Sequence, residues 1–152
     1  MSNYKIEKND YEELNKDIEI VFITSEFNRD FTKALEDTNE KFLIDNGFKN
    51  IKKFLVPGAF EIPGFLKKVK SNLKPDLIIC FGVIIRGETT HYEMVAGESA
   101  RGIMDITLKG GNTAIINGIL TCENEEQVKA RISNTYALSG LNLVLEIDKI
   151  FD

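Results

Sequence analysis

The sequence predicts an α/β protein: a three-layer sandwich, flavodoxin-like in type, with a four-stranded parallel sheet and helices on both faces. Three observations carry that expectation. Short apolar, β-rich runs alternate with segments whose apolar residues recur at helical spacing. Residues 77–85 are apolar nearly throughout, as a central parallel strand covered on both faces must be. The intervening helices, at least about ten residues each, are long enough to return the chain for parallel pairing through right-handed crossovers.

Taken in order, residues 1–16 are polar and weakly patterned and read as an arm before a single domain over 17–152. Residues 18–23 form a short β-rich run, the first strand. Over 30–46, Phe31, Ala34, Leu35, Thr38, Phe42 and Leu43 keep helical spacing, and Gly47 supplies a stop. Residues 51–56 make the second strand, ended by Pro57-Gly58. A short helix follows over 62–73, with Pro63 tolerated in its first turn. The third strand is 77–85. A long helix over 91–108 ends at Gly110-Gly111, and the fourth strand is 113–120. Asn124 with Gln127 gives a capping-box-like start to a helix running through Ile132. After a link at 133–140, a last helix spans 141–151. No repeat, low-complexity stretch or linker divides the chain.

Bulk properties narrow the function. The chain has 152 residues, 43% of them apolar and 28% charged, enough for one packed core. A net charge of −5 argues against a partner recognised through its phosphate backbone. The local run Lys67-Lys68-Val69-Lys70 with Lys74 reads as a solvated helix face. Residues 77–85 are far too short to span a bilayer, and the N-terminus has neither a signal core nor a transit-peptide composition. Cys80 and Cys122 lack metal-ligand spacing, so no metal site is expected, and Cys80 reads as a buried free thiol. A cytoplasmic location fits this set.

In an open parallel sheet, ligands bind beyond the carboxyl ends of the strands. The segments there are Ser25-Glu26-Phe27-Asn28, Gly58-Ala59-Phe60-Glu61, Arg86-Gly87-Glu88-Thr89-Thr90-His91 and Thr121-Cys122-Glu123-Asn124, each richer in functional groups than a plain turn requires. In the third, Gly87 permits close backbone approach, and Thr89 and Thr90 precede a helix whose free N–H groups favour a phosphate. The same residues also read as an ordinary N-cap. His91, the only histidine, can donate and accept a proton near neutral pH or can serve structure alone. Phe27 is either a stacking platform or a lid on its own helix. Glu61 either accepts ligand hydroxyls or favours its helix N-terminus. Arg131 alone is a routine surface arginine.

Together these segments resemble the lumazine synthase family over residues 20–132. The string Gly82-Val-Ile-Ile-Arg-Gly-Glu-Thr-Thr-His91-Tyr-Glu is similar to the family's G-x-x-I-R-G-x-T-x-H-[FY]-[DE] signature. Phe27-Asn28, Val56-Pro-Gly-Ala-Phe-Glu-Ile-Pro63, Gly118-Ile-Leu-Thr121, Glu126-Gln127 and Arg131 follow in the right order. The resemblance implies a transferase of riboflavin biosynthesis. It condenses 5-amino-6-(D-ribitylamino)uracil with 3,4-dihydroxy-2-butanone 4-phosphate, releasing phosphate and water, without a cofactor. It further implies that Phe27 stacks on the pyrimidine, that Ala59, Phe60 and Glu61 hold the ribityl chain, and that Val83, Ile84 and Ile85 line the ring's edge. Glu88, Thr89 and Arg131 would bind the phosphate, Arg131 from an adjacent subunit, and His91 would move protons. A homopentamer or a larger assembly of pentamers, with active sites shared between neighbours, is implied as well.

Three departures stand out. Asn117 occupies a position where many relatives carry an aromatic residue, and it is kept as a substrate contact. Glu88 replaces a small residue, and its carboxylate must turn away from the phosphate, with Arg86 and Arg131 to offset it. The 133–140 link is short and lacks lysine. The rival classes are a non-catalytic flavin- or lumazine-binding module and an enzyme like the archaeal-type riboflavin synthase. A receiver domain would want clustered carboxylates that are missing here, and no G-x-x-x-x-G-K-[ST] motif occurs.

Overall fold

The computed structural model describes residues 5–151. Four strands, β1 (Ile20–Ser25), β2 (Ile51–Val56), β3 (Leu77–Ile85) and β4 (Ala114–Cys122), form one sheet in the order β2-β1-β3-β4, every pair parallel. The helices are α1 (Arg29–Asp45), α2 (Ile62–Leu73), α3 (His91–Thr107), α4 (Glu125–Lys129) and α5 (Tyr136–Phe151), with a 3₁₀ turn at Ala59–Glu61. This is the doubly covered, flavodoxin-like sandwich that the alternation of patterns predicts.

The apolar run of β3 is explained by its position between β1 and β4. Leu77, Ile79, Phe81 and Val83 join Leu35 and Leu43 of α1 and Leu141 and Val144 of α5 in one core. Ile78, Cys80 and Ile84 join Leu66 and Val69 of α2 and Ile103 and Ile106 of α3 in the other. Successive strand residues point to opposite faces, so a strand covered on both faces has no position left for a charge. Each fully buried side chain of this kind contributes about 1.5–3 kcal/mol. Burial pushes the Cys80 thiol up to about 12, which keeps it protonated and inert.

Two glycines let α5 lie close on the sheet. A β-carbon at Gly140 would stand 2.8 Å from the methyls of Leu77, and one at Gly118 would stand 2.9 Å from the Cys80 carbonyl oxygen. The first contact would make Leu77 or the helix shift; the second would strain β4 against β3, with the Tyr136 ring of α5 only 3.2 Å from the same β-carbon.

The elements depart from expectation at their ends. β1 begins at Ile20 because residues 15–18 turn: the Asp17 N–H donates to Asn15 Oδ1 at 2.8 Å and the Ile18 N–H to the Asn15 carbonyl at 3.3 Å. Pairing with β2 then carries β1 on to Ser25, opposite Val56, and pairing with β3 carries β4 on to Cys122. α4 ends at Lys129, before Ile132. α5 starts at Tyr136, inside the expected link. The cause is tertiary: the buried Asn39 of α1 accepts the Ala137 N–H at 2.7 Å and donates to the Asn134 carbonyl at 3.1 Å. In the segment before β1, Tyr11 and Leu14 are buried against the α1/α5 face, and the Tyr11 hydroxyl donates to Asn142 Oδ1 at 2.8 Å.

Candidate active site

The carboxyl ends of β1, β2 and β3 surround a cleft of about 510 Å³. Its first wall is the loop after β1. The Glu26 N–H donates to the Val56 carbonyl at 2.7 Å and the Phe27 N–H to the Pro57 carbonyl at 3.0 Å, so this loop is tied to the end of β2. Asn28 then takes the left-handed conformation, φ 60° and ψ 43°, and its amide donates to the Val83 carbonyl at 2.8 Å. Phe27 is left 72% exposed beside the cleft. The ring is therefore not a lid packed on its own helix.

The second wall is the turn after β2. Ala59 is buried, whereas Phe60 and Glu61 are exposed and line the cleft. A β-carbon at Gly58 would meet Glu61 Oε1 at 3.2 Å, so the carboxylate folds back over this glycine. Val83, Ile84 and Ile85 at the end of β3 close the apolar floor.

The third wall is the turn after β3 with the start of α3. Thr90 is the N-cap, yet its side chain makes no capping hydrogen bond. The Thr89 hydroxyl accepts the His91 N–H at 3.3 Å. A β-carbon at Gly87 would meet nothing within 4 Å, and this residue does not adopt a positive φ, so neither packing nor backbone conformation requires glycine there. His91 is exposed, and it lines the cleft together with Tyr92 and Val95.

Electrostatics divide this rim unevenly. Arg86 pairs with Glu93 and, at 2.7 Å, with Glu123, and its guanidinium stacks 4.4 Å from the centre of the Tyr92 ring. The Arg86 hydrogen bond holds the Glu93 carboxyl below the ordinary carboxylate range. Two carboxylates thus neutralise Arg86, and among the described residues no arginine or lysine lines the cleft. Arg86 is accordingly not free to offset Glu88, as the sequence suggests it could be.

Nine of the expected site residues meet here: Phe27, Ala59, Phe60, Glu61, the three β3 residues, Thr89 and His91. Three do not line the cleft. Glu88 is exposed outside it. Asn117 lies exposed within β4, its Oδ1 accepting the Ile119 N–H at 2.9 Å. Arg131 follows α4, where its Nη1 donates to the Gln127 carbonyl at 2.8 Å. Tyr92 and Val95 line the cleft without having been expected there, and Asn28, in a segment read at the ligand rim but given no role, lines it too. For Val95 the pattern held a signal, since it stands four residues from His91 on the same helix face. Among the described residues no cluster of three or more His, Cys, Asp or Glu could hold a metal ion, and no helix is long and apolar enough to cross a membrane.

A family model described as 6,7-dimethyl-8-ribityllumazine synthase matches residues 17–146. A 6,7-dimethyl-8-ribityllumazine synthase of Campylobacter fetus subsp. fetus is 36% identical over 141 residues, 91% of this chain and 90% of the relative. One from Gemmatimonas aurantiaca is 33% identical over 135 residues, 88% of this chain and 82% of the relative. One from Erythrobacter litoralis is 55% identical over 76 residues, covering 50% of this chain and 53% of its own length.

Proposed function

The chain belongs to the 6,7-dimethyl-8-ribityllumazine synthase family, and from that premise we propose that it forms this lumazine in the cleft at the carboxyl ends of β1, β2 and β3. It is a transferase of riboflavin biosynthesis, joining 5-amino-6-(D-ribitylamino)uracil to 3,4-dihydroxy-2-butanone 4-phosphate. One observation supports the location above all. An exposed aromatic ring, an apolar floor, an open turn at a helix start and the only histidine face one cleft.

In this reading Phe27 stacks on the pyrimidine, and Val83, Ile84 and Ile85 hold the ring's edge. Ala59, Phe60 and Glu61 hold the ribityl chain, with the Glu61 carboxylate accepting its hydroxyls. The turn at 87–90 takes the phosphate through Thr89 and backbone N–H groups near Glu88, aided by the positive end of α3. The 5-amino group attacks the ketone and water leaves to give an imine. Loss of a carbon-bound proton and of phosphate gives an enol that tautomerises to a new ketone. The ribityl-bearing nitrogen attacks that carbonyl, and loss of a second water closes the ring. His91 moves protons at these steps. Holding two reactants in register supplies much of the acceleration, a contribution that reaches about 7–11 kcal/mol in favourable cases.

The cleft of one chain is electrostatically incomplete for a phosphorylated substrate, because no arginine or lysine among the described residues lines it and Arg86, next to its Gly87, is already paired with two carboxylates. Arg131, and Asn117 with it, therefore act from an adjacent subunit of a homopentamer. Met94, Met104 and Leu108 of the α3 region are exposed apolar side chains that such a neighbour would cover. The enzyme works in the cytoplasm, where both substrates are soluble metabolites.

The test is direct. Purified protein given both substrates should accumulate a fluorescent lumazine with one inorganic phosphate released per product. Product formation without phosphate release would contradict the proposed reaction.

A further inference from the structure

We infer that Asn28 is a positioning residue that fixes the Phe27 ring against the rim of β3 and thereby sets the fit of the pyrimidine substrate. The inference rests on the proposed stacking role of Phe27 and adds the device that orients it.

Phe27 is 72% exposed, so side-chain packing within the chain does little to orient the ring. Its direction depends on the backbone of residues 26–28. Two N–H groups tie that backbone to β2 and the residue after it, through the carbonyls of Val56 and Pro57. On the other side, pairing of β1 with β3 stops at Thr24 opposite Phe81, whereas β3 continues to Ile85. Beyond that last pair the Asn28 amide takes over, donating to the Val83 carbonyl at 2.8 Å. It is the cross-link between the loop that carries Phe27 and the strand that forms the opposite side of the ring's site.

Two further features separate this role from ordinary helix capping. Asn28 is the N-cap of α1, but its side chain makes no capping hydrogen bond. The amide is directed to the cleft wall instead of the use an N-cap asparagine normally has. Its backbone is also left-handed, at φ 60°, a region that asparagine tolerates better than most side chains. Both the backbone state and the amide are needed to aim residue 27 while reaching Val83.

Steady-state kinetics of Asn28→Gly, Asn28→Asp, Phe27→Ala and the double variant Phe27→Ala/Asn28→Gly test this. Glycine keeps the left-handed backbone and removes only the clamp. The expected result is a rise of about tenfold in KM for the pyrimidine substrate, the size expected for loss of one hydrogen bond. KM for the phosphorylated substrate and kcat should stay within about twofold. Asn28→Asp, which sets a carboxylate against a carbonyl, should do at least as much harm. The double variant should be no worse than Phe27→Ala, because the clamp acts through the ring. Wild-type KM in Asn28→Gly, with KM raised in Phe27→Ala, would overturn the inference and leave the stacking role standing. Additive effects in the double variant would overturn it too. Unchanged KM in Phe27→Ala would overturn the stacking role and the inference with it.

Discussion

The two loops that face each other across the cleft are built differently. The loop after β1 is fixed by backbone bonds to Val56 and Pro57, by the Asn28 amide on Val83 and by the Thr32 hydroxyl on the Ser25 carbonyl at 2.8 Å. The turn after β3 has the Arg86 N–H on the Cys122 carbonyl at 2.9 Å and a 3.3 Å contact within residues 89–91. The Thr90 carbonyl accepts the Glu93 and Met94 N–H groups at 3.1 and 3.3 Å as α3 begins, and the exposed Arg86 cluster with Glu93, Glu123 and Tyr92 adds a side-chain tether. A planar ring held by stacking brings no strong directional bonds of its own, so its platform must be set beforehand. A phosphate brings charge-assisted hydrogen bonds that can order a turn as it binds. On the proposed site roles, the difference matches the two kinds of ligand, one half of the cleft prepared and the other completed on binding.

The largest effect should come from His91, at the start of α3. His91→Ala should lower kcat by about a hundredfold, the lower end of what a general acid–base contributes. Because His91 is exposed, the thermal midpoint and assembly should not change. Unfolding of that variant would assign the histidine to structure instead. Arg86→Gln should act on the looser half alone, raising KM for the phosphorylated substrate about fivefold through a less ordered turn. KM for the pyrimidine should be unaffected, and an equal rise in both would erase the contrast between the loops.

The smallest effect concerns pH. Arg86 depresses the Glu93 pKa below its ordinary 4.5, so the pair's stabilisation is complete above that value and is lost as pH falls through the folded-state pKa. The Tyr92 ring resonances, which report the stacked guanidinium, should therefore hold steady down to the ordinary carboxylate value of 4.5 and move only below it. In Arg86→Gln that acid step should vanish. A transition near neutral pH would place a different group in control of the turn.

The framework is legible in the sequence where local pattern and tertiary position agree. The apolar run of β3, the Pro57-Gly58 stop and the Asn124 cap, whose Oδ1 accepts the Gln127 N–H at 2.9 Å, act through near neighbours. What stays concealed depends on distant partners. The start of α5 is set by Asn39, which lies on α1. The clamp from Asn28 to Val83 needs β1 beside β3, and the neutralisation of Arg86 by Glu123 needs β3 beside β4. Three of the four segments read at the strand ends line the cleft because strand ends converge on one edge, whereas none of residues 121–124 does. Spacing along the chain cannot tell a residue facing the cleft from one like Asn117 or Arg131, which stand off it within a single chain.

That separation makes subunit mixing the most direct test of the central claim, that a neighbouring subunit completes one chain's cleft with Arg131. Phe27→Ala and Arg131→Ala subunits, each impaired when assembled alone, would be co-assembled in equal amounts and assayed with both substrates. In a ring of heterologous contacts about a quarter of the sites should pair an intact Phe27 with an intact Arg131 and regain activity. Activity no higher than that of the two parents would contradict a site shared between subunits.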